Sequence, residues 1–153
     1  MNLPNFLKFK TIVTTAIVCG CIMTGCVDEQ REWVEDLYLT QSAVEHGQSV
    51  NSAQLEKRLG KPDAVLSLRQ FSDAVPQNQP RRKVIINDVQ KCAKKHDDKV
   101  VWVYDESGRY SKPLPFPVLF GQDTEFHAAI FTILRNDEVS GGFIVENWKG
   151  LKK

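Results

Sequence analysis

The chain has 153 residues, with 20 lysine and arginine residues against 19 aspartate and glutamate residues and a formal net charge of +1 at pH 7. This length suits one domain with one modest hydrophobic core. The near balance of charge excludes the general electrostatic attraction to nucleic acid that a strongly basic domain has.

The N-terminal segment has the charge pattern of an export signal. Residues 1–10 carry two lysines and no acid, and residues 11–25 carry no charged side chain. A helix needs about 20 apolar residues to cross the hydrocarbon core of a bilayer, so the uncharged stretch favours a cleaved signal peptide over residues 1–25. The alternatives are an uncleaved signal-anchor and an ordinary secreted protein.

The end of this segment, Met23-Thr24-Gly25-Cys26, resembles the lipobox of bacterial lipoprotein precursors: an apolar residue, two small residues and a cysteine. The resemblance implies that the Cys26 thiol, nucleophilic as its thiolate, receives a diacylglyceryl group and that the signal is removed before it. A competing site at Cys21 would leave an apolar run of only eight residues, from Thr11 to Val18, which is at the bottom of the usual range. We therefore predict lipidation at Cys26, where two or more acyl chains would hold the protein on a bilayer stably.

The residue after the anchor bears on which membrane holds the protein. In lipoproteins of enteric-type bacteria, an aspartate directly after the cysteine favours the inner membrane, whereas here Val27 follows and the first acid is Asp28. The lipobox resemblance therefore implies the outer membrane, with the domain on its periplasmic face. The inner membrane is the alternative.

Removal of residues 1–25 leaves 128 residues, in which 18 basic residues stand against 19 acids because only Lys8 and Lys10 leave with the signal. Three of the four cysteines lie at or before the cleavage site, so Cys92 is the only thiol downstream of the anchor. No disulfide is expected within the mature chain, although the compartment would permit one. We interpret Cys92 as a half-buried structural cysteine on a short helix rather than a reactive thiol.

The mature chain divides into three predicted parts. Residues 26–47 hold the lipidated N-terminus and either a tether or a helix, because acids open this segment and apolar residues follow near helical spacing. Residues 48–148 form a small α+β domain, and residues 149–153 form a basic tail.

The clearest local signature predicts a two-turn helix over residues 52–59. Asn51 is a good N-cap, and Gln54 stands three residues on as its capping-box partner. Gly60 supplies the left-handed position after the helix, and Pro62 prevents the helix from continuing.

Strand-like segments follow this helix and predict a sheet. The last two are joined by the polar turn Arg135–Glu138, which indicates a hairpin. The order of elements predicts an α+β fold, with two N-terminal helices packed on one face of a three- to four-stranded antiparallel sheet. The predicted strands are residues 64–71, 99–104, 126–134 and 139–145, with a loop over 72–82, a short helix over 87–96 and an irregular segment over 110–117 between them.

A helix over Ser52–Leu59 that ends Leu59-Gly60-Lys61-Pro62, the aromatic strand Val101–Tyr104 and a closing hairpin after a lipobox cysteine look like the SmpA/OmlA (BamE-like) lipoproteins. The resemblance covers roughly residues 48–71 and 99–145. It implies a helix leading into a three-stranded antiparallel sheet. The founding member is an accessory subunit of the machinery that inserts β-barrels into the outer membrane.

The side chains that carry most chemistry stand alone in this sequence. His46, His96 and His127 have no metal-ligand spacing between them, and neither a nucleophile elbow nor a phosphate-binding glycine loop occurs. We infer no cofactor, no metal site and no small-molecule substrate, and expect the histidines at the surface or half-buried. The paired acids Asp97–Asp98 and Asp105–Glu106 are expected to be solvated residues at turns.

Two further features have structural interpretations. Gly141 and Gly142 lie within a predicted strand, where such a pair indicates a bulge or a close backbone approach. The second feature is a basic concentration, which comprises Arg81, Arg82, Lys83, Lys91, Lys94, Lys95 and Lys99. Such a group of basic residues usually forms a solvated face, but it can also contact anionic headgroups or an acidic partner.

Three functional hypotheses follow from these features. The leading one is a non-enzymatic outer-membrane lipoprotein that binds an envelope protein partner during envelope assembly or maintenance. The alternative is a periplasmic inhibitor or immunity-type lipoprotein whose partner surface contains exposed aromatic residues, namely Trp102, Tyr104 or Tyr110. A small envelope hydrolase is the third, and it requires His127 and an acid to converge in a pocket.

Overall fold

A computed structural model of the chain describes residues 28–93, 100–113, 116–118, 121–123 and 125–152. The predicted signal peptide and the predicted lipidation site Cys26 lie outside the described residues, as do His96 and Asp97–Asp98. None of the helices in the described ranges is both long and apolar enough to cross a membrane.

Helices and short strands alternate along the described chain. The helices are α1 (28–45), α2 (Ser52–Leu59), α3 (Leu68–Ala74), α4 (Arg82–Ala93) and α5 (Glu106–Arg109). The strands are β1 (Ala64–Ser67), β2 (Val100–Asp105), β3 (Phe116–Val118), β4 (Gly121–Asp123), β5 (Ala128–Ile133) and β6 (Val139–Val145). The helix predicted within residues 26–47 is therefore present, and β3 occupies the end of the segment predicted to be irregular.

Four strands form one antiparallel sheet in the order β1-β2-β5-β6. Strands β3 and β4 form a separate two-stranded antiparallel sheet among the described residues. The protein is thus α+β, as the sequence predicts, and β1 and β6 are the edge strands of this sheet within the part of the chain that the structure describes.

Helices cover both faces of this sheet, whereas the sequence predicted helices on one face only. Side chains from α1 and α2 pack with Ala129 and Phe131 in one core cluster. Side chains from α3 and α4 pack with Ala128 and Ile130 in a second cluster. The physical reason is that β5 presents apolar side chains to both faces of the sheet, and all six of its residues are buried. A strand buried on both faces needs a cover on each.

Helix α2 has the ends that the sequence predicted. The Asn51 Oδ1 accepts from the Gln54 backbone N–H at 2.9 Å, and the Gln54 Oε1 accepts from the Asn51 N–H at 3.0 Å. Gly60 has φ 79° and ψ −168°. The left-handed helical conformation predicted for Gly60 is therefore wrong, although its positive φ lies in a region that only glycine adopts readily.

Residues 68–71 were predicted to continue a strand, and this prediction is wrong because they open α3. The Ser67 Oγ accepts from the Gln70 N–H at 3.2 Å, and the Gln70 Oε1 accepts from the Ser67 N–H at 2.9 Å. This reciprocal pair is a capping box, which satisfies two backbone donors at a helix start. It ends β1 at Ser67 after four residues.

Helix α4 begins at Arg82, five residues before the predicted start at Asn87. The Arg82 side chain donates from Nη2 to the Ser72 carbonyl at 2.7 Å and from Nε to the Val75 carbonyl at 3.0 Å. These carbonyls lie at the C-terminal end of α3, where backbone acceptors have no partner within the helix. One member of the predicted basic concentration therefore holds two helices together.

The predicted hairpin of β5 and β6 is confirmed, with a register shift between Thr132 and Ile133, whose partners are Gly141 and Val139 on either side of Ser140. At the two glycines beside this register shift, side chains of other residues lie close to the backbone of β6. A Cβ on Gly141 would lie 2.8 Å from the Cys92 Sγ, and one on Gly142 would lie 2.8 Å from the Phe131 ring. Both interpretations of the glycine pair, a bulge and a close approach, are thus confirmed, and Cys92 is half-buried on a helix as predicted.

The structure continues into the predicted basic tail. The side chain of Leu151 packs against the second core cluster. The backbone N–H of Lys152 donates to the Ala74 carbonyl at 2.9 Å. Residues 149–152 are therefore attached to the end of α3.

Candidate functional site

A buried acid and imidazole meet where β2 and β5 begin to separate. Asp105, the last residue of β2, pairs with Ala128, the first residue of β5. Glu106 and His127 lie just beyond this pair and are therefore adjacent. One Glu106 carboxylate oxygen accepts from the His127 backbone N–H at 2.7 Å and lies 3.1 Å from the His127 Nδ1. The other oxygen accepts from the Gln30 Nε2 at 2.7 Å.

Two effects oppose each other on the Glu106 carboxyl group. Burial would raise its pKa, but the hydrogen bonds from the His127 side chain and backbone and from Gln30 outweigh burial and lower the pKa below its ordinary value. Glu106 is 0% exposed and His127 is 3% exposed, so the expectation that His127 lies at the surface or half-buried is wrong. The prediction that Asp105 and Glu106 are solvated turn residues is therefore wrong, because this carboxylate is held inside the protein by three hydrogen-bond donors.

The position of this pair bears on the hydrolase hypothesis. That hypothesis required His127 and an acid to converge in a pocket, and they do converge. They are nevertheless enclosed where α1, α5 and the start of β5 meet, and Gln30 Nε2 also donates to the Lys112 carbonyl at 3.0 Å. The contacts of Glu106 and His127 hold these segments together.

A second polar cluster surrounds the segment Leu59-Gly60-Lys61-Pro62, which continues from the end of α2. Arg109 pairs with Asp63 through its Nε at 2.8 Å. The same guanidinium donates to the Leu59 carbonyl at 3.0 Å and also to the Lys61 carbonyl. Carbonyls at the end of α2 thereby find donors from α5, a helix nearly 50 residues away in the chain.

Aromatic side chains complete the same cluster. Trp33 Nε1 donates to the Leu59 carbonyl and the Tyr104 hydroxyl donates to the Gly60 carbonyl, both at 3.1 Å. Burial raises the pKa of the Tyr104 hydroxyl well above its usual value. Tyr104 is 0% exposed, so its predicted exposure on a partner surface is wrong, while Trp102 and Tyr110 are half-buried.

An open groove lies between α4 and the C-terminal half of β6, and we name it the α4–β6 groove. Its volume is about 390 Å³, within the range of roughly 300–1,000 Å³ that ligand sites occupy. One wall is formed by Pro80, Arg81, Val84, Ile85 and Asp88, and the other by Glu125, Phe143, Ile144, Val145, Glu146 and Asn147.

The α4–β6 groove reaches the edge of the sheet. Phe143 and Val145 belong to the core cluster beneath α3 and α4, whereas Ile144 packs with the cluster beneath α1. Neighbouring residues of a strand point to opposite faces, so a groove that touches all three passes along the outer edge of β6. The backbone of this edge therefore borders the open space.

Both ends of the groove have a backbone that L-residues rarely adopt. Arg81 has φ 55° and Asn147 has φ 52°, in the left-handed region that costs a residue other than glycine on the order of 1–3 kcal/mol. The buried side chain of Gln79 lies between them, donating to the Asn147 carbonyl at 3.2 Å and accepting from the Lys149 N–H at 2.9 Å. Gln79 thus fixes one wall against the other.

Charged side chains of both signs line the groove. Asp88, Glu125 and Glu146 are its acids, and Arg81 is its basic residue. Asp88 lies 3.4 Å from the Lys91 ammonium, and that lysine is largely exposed.

Of the residues that the sequence singled out, Arg81 of the basic concentration lines the α4–β6 groove, whereas His127 and Glu106 do not. His46 is exposed near the end of α1, and among the described residues no group of His, Cys, Asp and Glu is arranged to hold a metal ion. The groove was missed because its two walls lie about 60 residues apart in the chain. The only local signals were turn-forming residues, namely Pro80 in Gln79-Pro80-Arg81 and Asn147 directly after an apolar strand.

Comparisons with known proteins found no family model, no curated protein and no solved structure that matches this chain.

Proposed function

We propose that the protein is a lipid-anchored, non-enzymatic component of the bacterial envelope, held on the periplasmic face of the outer membrane, which acts through protein contacts in envelope assembly or maintenance. This is a BamE-like role. The single observation that carries it is Met23-Thr24-Gly25-Cys26 at the end of an uncharged, signal-like segment.

Two features of the folded domain support this proposal. Helix α1 is already formed at residue 28, two residues after the predicted anchor. The buried or partly buried ionisable groups Glu106, His127 and Arg109 are engaged in bonds between elements of the fold. The α4–β6 groove, in contrast, presents apolar and charged groups to its surroundings.

The anchor is tested by the mass of the N-terminal peptide from the membrane-bound protein. We expect a peptide that begins at Cys26 and carries a diacylglyceryl adduct with a further acyl chain. The Cys26→Ser variant is expected to lose the adduct, while Cys21→Ser retains it. An unmodified Cys26 thiol in the native protein would refute the lipoprotein assignment.

The contact role is tested separately, by chemical cross-linking in intact cells followed by purification of the tagged, detergent-solubilised chain. Recovery of a specific envelope protein is the expected result. Recovery of none, from cells in which Cys26 is lipidated, would leave the anchor correct and refute the role in protein contacts.

A specific observation favours a second candidate, the inhibitor or immunity-type lipoprotein. Val65 and Trp102 are directly opposed on β1 and β2, and Val100 lies two residues from Trp102 on the same face. Val65 is 54% exposed and Val100 is 38% exposed, so the β1 edge has an apolar patch. This candidate predicts that the captured partner is an enzyme or toxin that the protein inhibits and that Val65→Lys relieves the inhibition.

A further inference from the structure

We propose that the buried Glu106 carboxylate is an acid-sensitive switch whose protonation releases residues 28–32, the N-terminal segment of α1, while the rest of the domain stays folded. Release would lengthen the tether between the predicted anchor and Trp33 to seven residues, which span at most about 25 Å. The release is a property of the fold alone. Only its consequence for the tether rests on the proposed lipid at Cys26.

One side chain attaches the N-terminal segment of α1 to the domain. Gln30 is 7% exposed, whereas the other four residues of the segment are exposed. The next buried residue is Trp33, which belongs to the first core cluster and donates from its indole N–H to the Leu59 carbonyl. A segment with so few buried contacts can open while the core stays closed. The contacts of Gln30 therefore decide whether residues 28–32 stay docked.

These contacts depend on the charge of Glu106. The Gln30 Nε2 donates to one Glu106 carboxylate oxygen, Oε1, at 2.7 Å and to the Lys112 carbonyl at 3.0 Å. A carboxylate only accepts hydrogen bonds, whereas a carboxylic acid has a hydroxyl hydrogen that needs an acceptor of its own, and an amide nitrogen is not an acceptor. A proton on Oε1 would therefore face a donor.

The other carboxylate oxygen, Oε2, is the less suitable place for the proton. It accepts from the His127 backbone N–H at 2.7 Å and lies 3.1 Å from the His127 Nδ1, and this N–H cannot turn away without moving the start of β5. The Gln30 amide can turn its oxygen toward a protonated Oε1, but the Lys112 carbonyl would then lose its donor. In either orientation Gln30 loses one of its two bonds, so protonation weakens the attachment of α1.

The same coupling is present in the pKa of the Glu106 carboxyl group. The hydrogen bond from Gln30 is one of those that lower this pKa, so loss of the bond raises it. Protonation and docking of the segment therefore oppose each other. Because the pKa in the docked form lies below the ordinary value of 4.5, docking is favoured above pH 4.5 and is lost as the pH falls through the pKa of the docked form.

Other titratable groups lie around this site, and a test must separate them from Glu106. The centroid of the Tyr38 ring lies 6.1 Å from that of His127, and the charges of Glu29 and Glu106 both act on the pKa of Tyr110. Acids at the start of α1 also stabilise the helix through its dipole while they are charged. The titratable and charged groups around Glu106 are Asp28, Glu29, Arg31, Glu32, Tyr38, Asp105, Arg109, Tyr110 and His127.

The test measures backbone order parameters by NMR relaxation on the isotope-labelled full chain in a non-ionic detergent. Residues 28–32 are expected to have order parameters near about 0.85 at pH 7 and to fall below about 0.6, the flexible range, as the pH is lowered from 4.5 to 3. Residues 34–45 are expected to keep their values. Glu106→Gln, which is neutral and has the same size, is expected to release the segment already at pH 7.

Glu32→Gln is the matched control, because it neutralises an exposed acid of the same segment and leaves the Glu106 contact intact. It is expected to keep the segment docked at pH 7 and to retain the transition in acid. Gln30→Ala is expected to release the segment at both pH values. It is also expected to raise the pKa of the Glu106 carboxyl group, measured by the carbon-13 shift of that group, which a purely structural role would leave unchanged. Thermal unfolding confirms that each variant is folded.

Four outcomes overturn the inference. They are order in residues 28–32 that persists to pH 3, loss of that order only together with the rest of the domain, equal effects of Glu106→Gln and Glu32→Gln, and a Glu106 pKa that Gln30→Ala leaves unchanged. None of them depends on the lipid at Cys26 or on recovery of an envelope partner. Failure of this inference is therefore distinguishable from failure of the proposed function.

Discussion

The two adjacent glycines of β6 occupy positions where any side chain would displace a neighbour. Gly142 faces the ring of Phe131, which is completely buried and cannot move into solvent. Gly141 faces the sulfur of half-buried Cys92, which has more room to adjust. The glycine pair was interpretable from the sequence because glycine within a strand has few other causes, whereas the residues that approach it became known only from the fold.

We expect Gly142→Ala to lower the free energy of unfolding by about 1–3 kcal/mol, the usual cost of overpacking a core. Urea denaturation measures the change. Gly108→Ala is the control, because a Cβ there would meet nothing closer than 3.8 Å. Equal stabilities of the two variants would show that the Phe131 ring yields without cost.

Buried Glu106 shows what sequence reasoning cannot detect at the scale of one residue. An acid pair at the end of a strand is normally solvated, and nothing near Glu106 in the sequence indicates its partners. Those partners are Gln30 and His127, which lie 76 and 21 residues away in the chain. Only the antiparallel pairing of β2 and β5 and the packing of α1 bring them to the carboxylate.

The lowered pKa of Glu106 predicts a dependence of stability on pH. Because the pKa in the folded protein lies below the ordinary value of 4.5, the charged group stabilises the fold above pH 4.5. This contribution is lost as the pH falls through the pKa of the folded state. We expect Glu106→Gln to cost about 1–3 kcal/mol at pH 7.

Urea denaturation of the native chain and of Glu106→Gln between pH 7 and pH 3 measures this contribution. The difference between the two is expected to shrink as the solution becomes acidic. Glu35→Gln, which changes an exposed acid on α1, controls for the loss of one negative charge. A difference that stays constant from pH 7 to pH 3 would contradict the role assigned to the Glu106 carboxylate.

At the scale of elements, local signals predicted those parts of the fold whose causes are local. The ends of α2 follow from Asn51, Gln54 and Gly60, and the β5–β6 hairpin follows from a polar turn between two apolar strands. The start of α3 is also signalled locally, by Ser67 and Gln70, although the sequence predicts one strand over residues 64–71. The capping box ends the strand at Ser67 because it supplies partners for backbone donors that a strand edge would leave unpaired.

Removing this cap gives a prediction for a single element. Ser67→Ala is expected to lower the free energy of unfolding by about 0.5–2 kcal/mol, since the N–H of Gln70 loses its acceptor. Ser49→Ala, at an exposed position outside the helices, is the matched control and is expected to change stability by less than about 0.5 kcal/mol. Chemical denaturation distinguishes the two, and similar small effects at both positions would mean that the Ser67 hydroxyl does not stabilise α3.

For the molecule as a whole, the distance between the predicted anchor and the folded domain is the decisive quantity. Cys26 precedes residue 28, the first described residue of α1, by two residues, which span at most about 7 Å. Gln30 in the first turn of α1 is buried and bonded to Glu106 and Lys112. A lipid on Cys26 would therefore hold the end of the domain that contains Lys112 close to the membrane surface.

The opposite end of the domain lies near the β5–β6 turn. Asn51, the N-cap of α2, forms a β-bridge with Glu138 in that turn. The described part of α1, with 18 residues over 28–45, is about 27 Å long. A fluorescent unnatural amino acid at exposed Lys112 is thus expected to be quenched strongly by spin-labelled lipids in a reconstituted bilayer. The same fluorophore at exposed Asn136 is expected to be quenched weakly.

A flexible linker provides the control for this orientation. Ten glycine and serine residues inserted between Val27 and Asp28 have a root-mean-square span of about 17 Å, which lets the domain rotate while the anchor is kept. The difference in quenching between Lys112 and Asn136 is expected to decrease sharply in this variant. Equal quenching at the two positions without the linker, in protein whose Cys26 carries lipid, would show that a short tether does not orient the domain.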